Sequence, residues 1–292
     1  MPSLIACSSV RIDVDGVPAI DGLSFASTGD SVLVLGSARA LFEAAGGLRP
    51  IERGEIQVGG LRPWQAIRAG FVAAAPLDPP LPLRWSPLQY VTWSARLAGH
   101  PGKVATSAAA DAIERFALVA FARAKLGKSS LAARRATVVA AAYVTGATAL
   151  IVEDPCAGMS PEVAGPFARI VVRALAGRRA IWFASRVALE SPLGLAADEA
   201  ILLEGSRVAI QGAPAQIASN THAFSLRVAG EVRAFATAMA SAGARPLAPS
   251  DPSMPAHMSL DLGPLGTRDV LQIALDCGAV ILELRPLAGS FA

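Results

Sequence analysis

The sequence predicts an α/β fold built on a buried, largely parallel sheet. Three apolar runs predict it. Ser31-Val32-Leu33-Val34-Leu35 is near-continuously apolar, entered from Gly29-Asp30 and left through Gly36-Ser37. Ala149 to Val152 is a second run and ends in the carboxylates Glu153-Asp154; Ala180 to Ala184 is a third. Helical stretches lie between them. Strands that lack polar alternation are those covered on both faces, as parallel strands flanked by helices are.

The other elements follow in order. Val10 to Val14 alternates apolar and polar residues, the pattern of a half-buried strand, and Asp15-Gly16 is its turn. A second strand covers Leu23 to Ala26. After the strand at Ser31 to Leu35, a short helix runs from Gly36-Ser37 through Ala45 and is closed by Gly46-Gly47. Glu55 to Val58 with Gly59-Gly60 is a strand and turn. Pro76 to Pro87 is a proline-rich loop. Residues 88–143 are largely helical, with breaks at Gly99 to Gly102 and near Gly127. Pro161 to Leu175 is a helix. Ala200 to Leu203 and Arg207 to Ile210 form a hairpin about Glu204-Gly205-Ser206. From about Ser219 the period changes. Runs at 224–228, 258–262 and 282–284 alternate, and helical spacings at 232–239 and 270–277 separate them. This predicts a small βαβαβ module at 219–292, with a boundary near residue 218.

Composition narrows the function classes. Hydrophobic residues make up 53% of the 292 and the mean hydropathy is +0.46, high for a soluble protein. The longest uncharged stretch is Ala136 to Val152, at the short limit for a membrane span and carrying Thr, Tyr and Gly. It reads better as a core helix and a buried strand. No basic start with an apolar core suggests a secretory signal. Cys7, Cys156 and Cys277 lie far apart, so neither a disulfide framework nor a zinc site is expected, and the reading is a reducing, cytoplasmic compartment. A net charge of +3 on scattered Arg gives little support to nucleic-acid binding.

Over about residues 4–217, these elements in this order resemble an ABC transporter ATP-binding subunit. The resemblance is carried by Gly29-Asp30, Gly47-Leu48-Arg49-Pro50, Gly54-Glu55-Ile56 and Gly59-Gly60. Ser86 to Tyr90 running to Gly99, the hairpin about Gly205, and Gln211-Gly212-Ala213-Pro214 add to it. It implies a P-loop NTPase-like cassette with a helical subdomain near residues 76–147. The ending Arg285-Pro286-Leu287-Ala288-Gly289-Ser290-Phe291 is similar to that of ATPase subunits serving ABC-2 exporters, with Ala-Gly in place of their acidic pair.

The residues that carry the family's chemistry are replaced. A Walker A loop wraps phosphate in backbone N–H groups and supplies a Lys and a Ser/Thr. Here the segment is Gly36-Ser37-Ala38-Arg39, about five residues short and without the Lys. Such a lysine contact is worth roughly 4 kcal/mol at an effective dielectric near 20. Arg39 offers a replacement charge, although a solvated helix residue is the simpler reading. Walker B needs Asp for the magnesium shell and then Glu for the attacking water. This chain has Glu153-Asp154, the reverse order, which leaves both magnesium contact and a plain strand end open. The signature segment Leu-Ser-Gly-Gly-Gln is matched by Ser129-Ser130-Leu131-Ala132-Ala133, where Ser130 is expected to cap a helix. The switch histidine is matched by Arg186, which can bind phosphate but cannot relay a proton as His does. The Q-loop glutamine falls at Ala73 to Ala75, and no aromatic stands near Val14 for adenine.

The expectation is therefore a pseudo-ATPase, with no cofactor unless weak ATP and Mg2+ binding survives at Gly36, Ser37, Arg39, Ser130, Glu153 and Asp154. By resemblance its partners are an integral membrane permease, an intact ATPase subunit, or both. It would form a homo- or heterodimer and lie on the cytoplasmic face of the cell membrane, docked through the helical subdomain and the Ala73-to-Pro87 loop. The alternative is an active, divergent ABC ATPase using Arg39 or Arg186 with Asp154. A third reading is a cassette fold serving another assembly.

Overall fold

The computed structural model describes residues 2–36, 38–185, 187–219, 222–247 and 256–286. Residues 287–292, most of the exporter-like ending, lie outside the described residues, as do Ser37 and Arg186.

Thirteen strands form three sheets among the described residues. An antiparallel sheet has the order β2-β1-β4, from β1 (Ile5–Val14), β2 (Val17–Ala26) and β4 (Arg53–Val58). The central six-stranded sheet has the order β5-β6-β7-β3-β8-β9. Its strands are β3 (Ser31–Leu35), β5 (Val72–Ala75), β6 (Ala149–Glu153), β7 (Arg179–Ala184), β8 (Glu199–Glu204) and β9 (Arg207–Gly212). It is parallel except for β9, which returns as a hairpin on β8.

The apolar runs fill two cores, one on each face of this sheet. Val32 and Val34 point to the side of α1 (Ala38–Ala45) and the antiparallel sheet. There Phe42 meets Phe183 edge-on, with ring centroids 6.0 Å apart. Leu33 and Leu35 point to the other side. This second core is closed by α3 (Pro87–Leu97), α4 (Gly102–Arg115), α5 (Leu131–Tyr143) and α6 (Pro161–Ala174). Strands covered on both faces have no exposed side to alternate toward, which is why the sequence lacks alternation there.

Helices α3 to α5 stand between β5 and β6, where the helical subdomain was expected. Ser86 caps α3 by accepting the Gln89 N–H, and Gln89 answers from its side chain. Two elements had no clear signal. Strand β5 is mostly alanine and exists through its pairing with β6, Val72 to Ala75 against Ala149 to Val152. The short helix α2 (Pro63–Arg68) begins on a proline.

Two further short helices, α7 (Pro192–Leu195) and α8 (Pro214–Ser219), precede the last sheet. From β10 (Ala223–Gly230) onward the chain forms that sheet with a core of its own, around Leu226, Phe235, Met239 and Val270. The expected βαβαβ pattern gains a strand here. Arg245–Pro246 (β11) pairs with β12 (His257–Asp261), so the order is β11-β12-β10-β13, with β13 at Ala279–Pro286. Helices α9 (Val232–Ser241) and α10 (Thr267–Asp276) complete a βαββαβ unit of the ferredoxin-like kind. Two residues of strand are too few to show a period. Ser225 ties the module to the β8–β9 hairpin. It accepts from Arg207 Nη2 at 2.7 Å and donates to Glu204 Oε2 at 2.6 Å.

Candidate functional site

The candidate site lies at the carboxyl ends of β3, β6 and β7, where open α/β sheets place ligands. Strand β3 ends at Leu35 and α1 begins at Ala38, so residues 36 and 37 alone join them. Gly36 adopts φ +108° and donates its N–H to the Ala184 carbonyl at 3.2 Å. A Cβ there would stand 2.3 Å from the Leu203 carbonyl oxygen. Packing of β3 against β8 alone thus demands this glycine.

Arg39 leaves the first turn of α1. Its guanidinium is 74% exposed, as a solvated helix residue would be, yet it is held by two carboxylates. Its Nε lies 3.2 Å from Glu43 Oε1 and 3.9 Å from Glu153 Oε1. Glu153 is only 7% exposed at the end of β6. Its other oxygen, Oε2, accepts the Leu77 N–H at 2.8 Å, which ties the proline-rich loop to the strand. Burial raises the Glu153 pKa, against the lowering effects of that N–H and of Arg39.

Asp154 follows with φ +36°, a left-handed conformation that Asp tolerates better than most residues. Its N–H continues the ladder to the Phe183 carbonyl at 2.6 Å, and its Oδ2 accepts the Ser185 N–H at 3.1 Å. The side chain therefore turns toward the β7 end and away from Leu77. It lines a cleft of about 540 Å3 with Cys156, Met159, Ser185, Val187 and Ser191. Burial pushes the Cys156 thiol up to about 11, so it is no ready nucleophile.

Ser130 stands at the N-terminus of α5, where its hydroxyl accepts the Ala133 N–H at 3.2 Å. This is the capping geometry the sequence led us to expect. The fold thus brings Arg39 and Glu153 together, gives Asp154 a separate backbone partner, and uses Gly36 and Ser130 in local packing and capping.

Sequence reasoning missed Arg135. It is buried, and its Nη1 donates to the carbonyls of Ala157 (2.7 Å), Pro155 (3.2 Å) and Asp154 (3.4 Å). Nη2 lies 3.9 Å from Asp78 on the proline-rich loop. Burial lowers the Arg135 pKa, opposed by Asp78 and then Asp154. The signal was present in the helical period. Arg135 shares a face with Val138, Val139 and Ala142, all buried. Among the described residues no group of three or more His, Cys, Asp or Glu is placed to hold a metal ion.

No family model matches the sequence, and no curated protein matches it. Solved structures do match the fold. CbiO1 from Clostridium perfringens, part of the ABC transporter complex CbiONQ, superposes with a TM-score of 0.63 at 18% identity, over 74% of this chain and 91% of that one. The fold is that of an ABC transporter ATP-binding cassette. The ADP conformation of the cassette MJ1267 gives a TM-score of 0.60 at 13% identity, over 73% and 92% of the two chains. A nucleotide-free cassette gives 0.59 at 14%, over 72% and 91%.

Proposed function

We propose that this chain is a non-hydrolysing cassette subunit, a scaffold or regulator that docks on a membrane permease or on an active ATPase partner. The observation that carries the reading is the two-residue connection between β3 and α1. A phosphate loop needs several consecutive N–H groups curled round the anion and a Lys beyond them. Two residues, one of them a glycine packed on Leu203, leave no room for that cradle. The donor set does not fit a nucleoside triphosphate.

The carboxylates support the same reading. Glu153 already has a backbone donor and a guanidinium, and Asp154 has a backbone donor. Arg39 supplies beside Glu153 the positive charge that a bound cation would supply. The Leu77 N–H, held by Glu153, fixes the proline-rich loop without help from nucleotide.

Docking is supported by the surface. Leu83, Trp85, Trp93 and Leu97 are exposed on the proline-rich loop and α3, the segment through which the family resemblance places the permease contact. CbiO1 is part of a transporter complex, and this chain is read as acting in the same kind of setting. No described helix is long and apolar enough to cross a membrane, so attachment to the inner face of the cell membrane would be peripheral. In this reading residues 1–218 are the cassette and 219–292 a separate domain.

A phosphate-release assay on the purified chain with ATP and Mg2+ tests the proposal. The expected result is release at the blank rate, unchanged in Asp154→Asn. Mg2+-dependent release that Asp154→Asn abolishes would overturn it in favour of a divergent, active ATPase.

A further inference from the structure

Charge is unevenly distributed along the chain. Residues 76–148, between β5 and β6, carry nine Arg and Lys against three Asp and Glu, a net +6, although the whole chain is only +3. All three lysines, Lys103, Lys125 and Lys128, fall here. Pro79 to Ala110 contains no carboxylate side chain, and neither does Arg115 to Val152.

The fold gathers part of this charge beside exposed apolar side chains. The Leu126 N–H donates to the Trp85 carbonyl at 2.8 Å, and the Gly127 N–H to the Leu83 carbonyl at 3.0 Å. The loop before α3 therefore runs alongside the segment that bears Lys125 and Lys128, both exposed. Trp85 packs edge-on to Trp93 at 5.8 Å, and Leu97 follows Trp93 one turn along α3. Leu83 is 58% exposed, Trp93 44% and Leu97 67%. The loop, α3 and the 125–128 segment, joined by these contacts, thus expose indole rings, leucines and lysines and carry no carboxylate between Pro79 and Leu97 or between Lys125 and Lys128.

We propose that this face seats on an anionic lipid bilayer. Tryptophan prefers the headgroup level of a membrane, where its ring is apolar and its N–H is wet. Lysine and arginine are drawn to the negative surface potential of acidic lipids, and each acts within a Debye length. Leu83 and Leu97 decide against a nucleic acid, whose phosphate backbone gives exposed leucine nothing to bury against. A basic face with apolar anchors is the composition that peripheral membrane binding uses. The inference gives Leu83, Trp85, Trp93 and Leu97 to lipid where the docking proposed above gives them to a permease, so burial of these side chains by a permease while vesicles are ignored would overturn it. It needs no nucleotide.

Flotation of the full chain with protein-free vesicles tests it. Vesicles of phosphatidylcholine alone are compared with vesicles containing phosphatidylserine. The expected result is at least about tenfold tighter binding to the serine lipid, lost as salt is raised. Lys125→Glu with Lys128→Glu should reduce that binding by about tenfold or more, with the thermal melt unchanged because both side chains are exposed. Trp93→Ala with Leu97→Ala should reduce it independently of salt. Equal binding to both vesicles, or binding untouched by the lysine reversals, would overturn the proposal. So would capture by polyglutamate or a single-stranded oligonucleotide when vesicles are ignored. Failure here leaves the non-hydrolysing reading intact, and ATP turnover would leave this face intact.

Discussion

Glu153 allows the account of the site to be tested by two substitutions that differ in a single respect. Glutamine keeps an oxygen that can accept the Leu77 N–H now bonded at 2.8 Å, but it removes the charge. Alanine removes both. The charge lost by glutamine faces Arg39 at 3.9 Å, and that guanidinium is largely in water, so the pair is worth about 0–1 kcal/mol. Against this loss stands the burial that raises the Glu153 pKa. A carboxyl raised in the folded state favours folding fully below its unfolded value, about 4.3, and that contribution is lost as pH rises through the folded value. At neutral pH the ionised group therefore costs stability, and glutamine removes the cost. Glu153→Gln should lie within about 1 kcal/mol of the parent at neutral pH. Glu153→Ala strands the Leu77 N–H and should lose about 1–3 kcal/mol. Urea unfolding of the three proteins, followed by Trp fluorescence, measures both differences. If glutamine destabilises as much as alanine, the charge and not the hydrogen bond holds the loop, and the reasoning fails.

Other substitutions probe the rest of the site and the fold. Gly36→Ala places a Cβ against the Leu203 carbonyl at φ +108°, so it should cost about 3 kcal/mol or more, read as a fall in Tm. Ser130→Ala removes a helix cap and should cost about 1 kcal/mol by urea unfolding, with Ser130→Gly closer to the parent. Arg135→Met leaves the Pro155 and Ala157 carbonyls without the guanidinium, while the Asp154 carbonyl keeps the Ala157 N–H, and should cost about 1–3 kcal/mol, with faster proteolysis of the 154–159 loop. Burial raises the pKa of Glu199, but hydrogen bonds from Gln211, Thr28 and Gly29 outweigh it and the net shift is downward. Its contribution is present above the unfolded value and lost as pH falls through the folded one. Glu199→Gln should therefore cost about 1.5–3 kcal/mol at neutral pH, with the gap closing in acid.

The buried strands were legible because burial on both faces leaves a continuous apolar run. Ser31–Leu35 was read with its bounds as found, and Pro161–Ala174 to within a residue. Strand β5 was not legible, since Val-Ala-Ala-Ala carries little strand preference and is fixed by β6 beside it. In the site, the short step from β3 into α1 could be read directly from the sequence. The partners of Glu153 could not. Leu77 offers a backbone N–H, which any residue but proline would offer there, and Arg39 reaches Glu153 only because α1 starts immediately after β3. Arg135 lay hidden for another reason. An arginine in an alanine-rich helix reads as solvated until its register is compared with that of the valines around it.

The most direct test of the central claim is a calorimetric titration of the purified chain with ATP, in the presence and absence of Mg2+. The account expects no saturable heat up to millimolar nucleotide and no effect of the cation. A micromolar, Mg2+-dependent isotherm would contradict it, because a site able to cradle the phosphates would then exist at the end of β3.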